Sequence, residues 1–300
     1  MNDKVKECRA EIVEKMIKAM EEGTAPWMRP WTDTMAPRNA TSGRFYSGVN
    51  AFYLDLVGMM DFGGTDPRWA TFAQAQKAGW AVKKGERGTR VVFWDLIEKP
   101  VMDEKGRPII TETGEEKKQS IPFGRVYTVF NGAQIVGIPA YAPTENIFDK
   151  IEKAEKIITD SGATIRHGGN RAAYSPTLDV IRMPPRGIFG SIYDYYATIL
   201  HELAHWTGHT SRLNRPFGPK RSETYAREEL VAEMASVFIS AETAIPQTPA
   251  HFANHAAYVA HWINLLKNDG DALFRAARDA SKAADYILKN EHGEADKGAA

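Results

Sequence analysis

Between residues 3 and 22 apolar side chains recur at helical spacing, at Val5, Cys8, Ile12, Val13, Met16, Ile17 and Met20, and Gly23 follows as a stop. The pattern predicts an amphipathic helix with one face packed against other elements. Residues 26–31 hold too much proline for regular structure, and 39–50 are rich in turn residues. Helical spacing returns over 51–60 and 71–79, the second run opened by Thr71 as a cap. From Val91 the period shortens. Strands over 91–98, 108–112 and 123–130, a turn at 103–106 and a solvated hairpin tip at 112–118 predict a small antiparallel sheet. Two prolines interrupt 138–143, and a helix over 146–159 begins beyond them. Strands at 163–167 and 178–183 flank a Gly-Gly turn, and helices are expected around 193–203, 224–236, 251–266 and 271–289. The sum is an α+β protein. Residues 1–137 form an α+β domain, 138–145 a linker, 146–292 a mostly helical domain with a small sheet, and 293–300 a disordered tail.

Composition narrows the function classes. A 300-residue chain with 43% apolar content can bury two medium cores. Its net charge of +0 excludes whole-chain attraction to nucleic acid, so any such binding needs a local patch. The single cysteine, Cys8, excludes intrachain disulfides, fits a reducing compartment and belongs to the apolar side of the first helix. Neither a signal pattern nor a long apolar run is present, which points to a soluble, cytoplasmic protein with no membrane partner.

The candidate chemistry lies in His201, Glu202 and His205. Ser191 can cap a helix that Gly208 ends, and residues four apart on it share a face, so two imidazoles can grip one ion. Glu202, one step round the helix, stands beside the ion as a general base for water. With 8 histidines in 300 residues such a string arises by chance in roughly one or two chains per hundred, so a third ligand is needed. Glu229 and Glu233 again lie four apart, on a second helix. Glu229 is assigned as the third ligand, completing a His₂Glu set for Zn²⁺ or another divalent ion such as Mn²⁺. Glu233 is assigned as the carboxylate that orients His201 through its other ring nitrogen, and the spacing leaves the reverse assignment open. Glu228, on a different face, is expected to be solvated. His209 lies about 12 Å along the axis from His201 on a straight helix, too far to share the ion unless the chain breaks at Gly208.

The first half is rich in aromatics, and over residues 68–94 Arg68, Lys77, Lys83, Lys84, Arg87 and Arg90 face one acid, Glu86. Cations follow phosphates and flat rings stack on exposed bases, so this mixture suits single strands rather than duplex. Phe72, Trp80 and Phe93 are expected to pack in the core. The binding candidates are Trp27, Arg29, Trp31, Arg44 and Tyr46 in loop-like segments, with Lys83, Lys84, Arg87 and Arg90.

The chain also resembles the family of plasmid-encoded antirestriction proteins of the ArdC type and their relatives among plasmid DNA-transfer proteins. The resemblance rests on Pro26-Trp27, Trp31, PRN at 37–39, GRFYSGVN at 43–50, WATFAQA at 69–75, KGERG at 84–88 and VFN at 129–131. It continues through Tyr174, DVIRMP at 179–184, HELAHWTGH at 201–209 and YAREELVAE at 225–233, covering most of the chain. It implies an N-terminal single-stranded DNA-binding domain joined to a zincin-like metallopeptidase domain, an architecture similar to DNA-dependent proteases of the Spartan type. It further implies protection of incoming plasmid DNA from host restriction during conjugation, with host restriction-modification proteins as possible targets.

The reading that follows is a metal-dependent peptidase centre on a strand-binding protein, with residues 178–183 aligning a peptide by edge pairing and Tyr225 or His209 stabilising the oxyanion. Its rival is a non-catalytic strand binder that shields DNA by occupancy, with a structural or vestigial metal site. Metal-dependent nuclease chemistry favours oxygen-rich sites and fits a His₂Glu set poorly.

Overall fold

The computed structural model describes residues 2–23, 36–103, 105, 107–111, 114–142, 147–220, 222–245 and 258–288. Trp27, Arg29, Trp31, the tail at 293–300 and the expected helical residues 251–257 lie outside them. Helix α1 (Asp3–Glu21) buries Val5, Cys8, Ile12, Met16, Ala19 and Met20, the face its periodicity marks. Asn2 caps it, its Oδ1 accepting from the Val5 amide at 2.9 Å. Burial pushes the Cys8 thiol up to about 11, as expected of a core residue. Helix α2 (Gly48–Phe62) is buried without a break from Val49 to Gly58. It begins three residues before the expected start, because Ser47 turns the chain and the Gly48 amide donates to Ser281 Oγ at 3.1 Å. Gly63, with φ of 69°, closes it in the left-handed region.

Strands β1 (Arg38–Asn39), β2 (Arg68–Thr71), β4 (Thr89–Pro100) and β5 (Lys118–Asn131) form one sheet in the order β1-β2-β5-β4. Strands β4 and β5 make a long antiparallel hairpin, Thr89 opposite Val129 and Pro100 opposite Lys118. The sheet is mixed rather than purely antiparallel, since β1 runs parallel to β2. Residues 108–111 do not form the expected strand and pair through isolated bridges, Met102 to Pro108 and Ile110 to Glu116, and Glu112 lies outside the described residues. Helix α3 (Phe72–Lys77) begins in a capping box of Thr71 and Gln74, and β3 (Ala81–Val82) pairs with β6 (Ile135–Val136).

In the second half, α4 (Ile147–Ser161) precedes a three-stranded sheet of β7 (Thr164–His167), β8 (Ala173–Ser175) and β9 (Val180–Met183), ordered β7-β9-β8. Helices α5 (Ile192–Trp206), α6 (Glu223–Thr243), α7 (Val259–Asn268) and α8 (Asp271–Leu288) follow. The largest buried cluster draws on both halves, joining Ile12, Met16, Phe52, Leu54 and Val91 to Leu230, Met234, Val237, Trp262 and Leu273. Phe52 of α2 meets Phe238 of α6 at 4.9 Å between ring centroids. A second cluster, with Ile181, Met183, Ile199 and Leu203, lies between the small sheet and α5. Helix α6 is therefore buried on nearly every side, and three of its glutamates, Glu228, Glu229 and Glu233, are buried with it. Among the described residues no helix is long and apolar enough to cross a membrane.

Candidate metal centre

Ser191 caps α5 through its side-chain oxygen, which accepts from the Asp194 amide at 3.1 Å, and the helix is buried from Tyr195 through Trp206 at all but one position. Its face toward α6 carries His201 and His205, ring centroids 4.8 Å apart and nearly perpendicular. Helix α6 starts at Ser222, whose Oγ accepts from the Tyr225 amide at 3.1 Å, and brings Glu229 opposite both imidazoles. His201 Nε2 lies 3.7 Å from Glu229 Oε2, and His205 Nε2 lies 3.8 Å from Glu229 Oε1. Ligand atoms of His201, His205 and Glu229 fall within 4.8 Å of one another. Glu233 stands behind His201, its Oε1 3.8 Å from Nδ1. Of the two glutamates the spacing left open, Glu229 falls within the cluster and Glu233 lies behind His201.

The charge balance says what this cluster fits. Glu202, Glu228, Glu229 and Glu233 are all buried, and Arg215 is the one buried lysine or arginine among the described residues. Buried carboxylates in such excess call for additional positive charge between them. Two imidazole nitrogens and a carboxylate converging on one point suit a divalent transition ion.

Glu228 is not solvated, contrary to the expectation from its face. It is 4% exposed because α6 has no open side there and the chain after α5 folds back across it. Arg215 grips it with two bonds, Nε to Oε2 at 2.9 Å and Nη2 to Oε1 at 2.8 Å, and also donates to Thr207 Oγ1 and the Ala204 carbonyl. Glu228 Oε1 in turn lies 3.2 Å from His205 Nδ1, so each histidine has a carboxylate behind it. Gly208 permits this closure, since a Cβ there would meet Phe217 Cζ at 2.8 Å and Arg215 Nη2 at 2.9 Å. Burial raises the Glu229 carboxyl, but His205 and then His201 outweigh it and hold it at about 2. Burial likewise opposes charge on His205, yet Glu229 and Glu228 raise its pKa well above the ordinary value.

Glu202 is held differently. Its Oε2 accepts the backbone amide of Tyr174, on β8, at 2.6 Å. The Tyr174 hydroxyl donates to Asp179 Oδ1 at 2.9 Å, and Asp179 is clasped by Arg212. Arg212 also donates to the Trp206 carbonyl at 2.7 Å and stacks 3.9 Å above the Trp206 ring. One network therefore ties the small sheet to the last turn of α5. The free edge differs from the one expected over 178–183, because β9 is the central strand, paired on both sides, while β8 is an edge strand that turns an amide toward Glu202. His209 stays out of the ligand cluster and engages Ser211 Oγ through Nδ1 at 2.8 Å. Tyr225 is half-buried, and burial followed by its bond to Glu229 keeps its hydroxyl protonated.

Comparisons with known proteins supply the family. Residues 6–130 match the N-terminal domain of anti-restriction factor ArdC, and residues 152–279 match the zincin-like metallopeptidase family. The metal-free crystal structure of the antirestriction protein ArdC from plasmid R388 superposes with a TM-score of 0.76 at 36% identity, covering 94% of this chain and 97% of that one. The chain belongs to the ArdC antirestriction family. A second ArdC structure from R388, bound to Mn(II), gives a TM-score of 0.74 at 33% identity over 95% of this chain and 98% of that one. The protein y4eC of Sinorhizobium fredii is 34% identical over 92% of this chain and 90% of its own length. Two Escherichia coli proteins named DNA primase TraC are 44% and 43% identical over 93% and 94% of this chain, which spans only 20% and 27% of their lengths. A divalent metal is the cofactor that both the Mn(II)-bound relative and the donor set here support.

In the half that matches the ArdC N-terminal domain, the strand-binding candidates separate. Lys83, Lys84 and Arg87 are exposed between β3 and β4, and Arg44 is exposed on the turn before α2. Arg90 is committed to Glu11 of α1, with Nε 3.2 Å from Oε2. Tyr46 is buried, its ring 6.1 Å from Phe93, and offers no open face to a base because the helix it precedes folds it inward. Phe72, expected in the core, is 58% exposed, and Trp94 and Phe123 are exposed on the β4-β5 hairpin. Arg125 lies 5.6 Å over the Phe123 ring. The register puts Trp94 and Phe123 on opposite faces of the hairpin, Trp94 opposite Gly124 and Phe123 opposite Asp95, so alternation does not account for the exposure of both rings.

Proposed function

We propose that this chain is an antirestriction protein that binds single-stranded DNA and carries a metal-dependent peptidase centre, acting in the cytoplasm on plasmid DNA that enters during conjugation. In this reading residues 1–137 hold the strand and residues 146–292 carry the peptidase centre. The observation that carries the reading is the convergence of His201, His205 and Glu229 with a fourth buried carboxylate, Glu202, beside them. A bound divalent ion would supply Lewis acidity to water and to a peptide carbonyl. Glu202 takes the proton of the attacking water and passes it to the leaving amine. Glu228 and Glu233 hold the imidazoles in orientation through Nδ1. Tyr225, with its hydroxyl against Glu229, is positioned to donate to the oxygen that gains charge, a role less suited to His209, which is turned to Ser211. The edge of β8 is where an extended peptide would pair.

A specific observation favours the second reading, a strand binder that shields DNA by occupancy: the Tyr174 amide already occupies one oxygen of Glu202. Glu202→Gln separates the two. The peptidase reading expects this variant to keep its metal stoichiometry and strand affinity while losing peptide cleavage and antirestriction together, since removing a general base costs about 10²–10⁴-fold in rate. Antirestriction that survives the substitution unchanged would leave shielding as the function.

A further inference from the structure

Arg166 of β7 and Arg182 of β9 are directly opposite partners in the parallel register of the small sheet. Both are exposed, on the face turned away from Ile181 and Met183, which are fully buried. Like charges directly opposite across a strand pair repel. Their neighbours are differently treated: Arg186 is 2.6 Å from Glu155, and Arg212 holds Asp179, whereas neither Arg166 nor Arg182 has an acidic partner among the described residues. Residues 163–190 contain Arg166, Arg171, Arg182 and Arg186 against Asp179 alone, a segregation of charge in a chain whose net charge is +0. The rest of this face carries Thr164, Ala173 and Ser175 around Val180, which is buried between Thr164 and Ser175. Ala173 of β8 stands opposite Arg182, and the next residue, Tyr174, turns its amide to Glu202. Strands lie about 4.8 Å apart, so the backbone of Arg182 is one strand from the one whose Tyr174 amide meets Glu202.

We propose that the outer face of this sheet is a contact for single-stranded nucleic acid, in which Arg166 and Arg182 take phosphates of the backbone and Arg171 of the preceding loop extends the track. This rests on the strand-binding reading above and adds to it a contact within the peptidase half. A phosphate backbone needs only cations and room, which a flat face of small side chains provides.

The test is a titration of the full chain with a fluorescent oligo-dT at several salt concentrations. Replacing Arg166 and Arg182 together by alanine should weaken binding about tenfold at 0.15 M salt and make the logarithmic salt slope less negative by about 1.4, two phosphate contacts at about 0.7 each. The double lysine variant should keep the slope, and Arg166→Gln or Arg182→Gln alone should each make it less negative by about 0.7. Binding by the unaltered chain with an unchanged slope in the alanine variant overturns the proposal and leaves the strand-binding reading standing. No binding by the unaltered chain removes both. Polyglutamate whose binding depends on the two arginines, while that of oligo-dT does not, assigns the face to an acidic peptide and overturns the proposal as well. Unchanged metal uptake in each variant shows that the fold is intact.

Discussion

Arg215 shows how much of the site depends on a residue that spacing cannot reveal. Its guanidinium holds Glu228 with two bonds, and Glu228 lies against His205, so one exposed-type side chain, 8% exposed here, underlies a ligand. Arg215→Met should destabilise the chain by about 3–5 kcal/mol, because it leaves Glu228 buried without its counter-charge. It should also weaken metal binding by about 10–100-fold through the loosened His205. Urea unfolding and metal titration measure the two effects, and Arg215→Met with Glu228→Gln should recover part of the stability. A small loss in both measurements would mean that water replaces Arg215 and that the buried pairing matters little. The proximity of His201 and His205 was legible because a helix brings residues four apart onto one face. Arg215 was not, because it sits in an irregular segment where sequence distance says nothing of position. Glu228 was misread for a related reason: helical phase tells which face a residue takes, but not whether that face meets water.

The sheet element β8 is three residues long, between turn residues, and carries too short an alternation to be seen in the sequence. Its position depends on the clasp that joins Tyr174, Asp179 and Arg212. Asp179 also adopts φ of 49°, a left-handed conformation that an aspartate tolerates better than most side chains. Arg212 holds the Asp179 carboxyl below the usual carboxylate range by its hydrogen bond, with Tyr174 adding to the effect. A carboxyl depressed in the folded state contributes stability above its unfolded pKa, roughly 3.9, and loses that contribution as pH falls through the folded value. The wild-type chain should therefore be more stable than Asp179→Asn at pH 6, and the gap should close as the pH is lowered below about 4. Chemical denaturation of both proteins at pH 6 and pH 3 measures the gap, and a difference of undiminished size at pH 3 would assign the effect to shape rather than to charge. The strand β9 was legible as an apolar run bounded by prolines, but its central place was not. Order within a sheet depends on a partner strand, and the partner on this side was the one too short to read.

At the scale of the whole molecule, α6 belongs to the metal site and to the largest core at once. Leu230, Met234 and Val237 pack with residues of α1, α2 and β4, while Glu229 faces His201 and His205 from the same helix. A two-domain reading of the sequence follows the proline-bearing stretch near 138–143, and nothing in local pattern could reveal that helices separated by so much chain share a core. The consequence is energetic linkage between the halves. An ion that binds the folded site stabilises the native state by about 4 kcal/mol when free metal stands a thousandfold above its dissociation constant. Because the helix that carries Glu229 also buries the apolar faces of the first half, that gain should appear throughout the molecule. Phe52→Ala, a change in α2 against Phe238, should cost about 3–5 kcal/mol and lower apparent metal affinity wherever the apo chain is marginally folded. Removal of metal by a chelator should then move the unfolding of both halves together, in a single transition. Hydrogen exchange read separately for α2 and for α5, with and without metal, distinguishes the cases. If metal raises protection in α5 while α2 exchanges at an unchanged rate from the same globally unfolded state, the shared core does not transmit the gain.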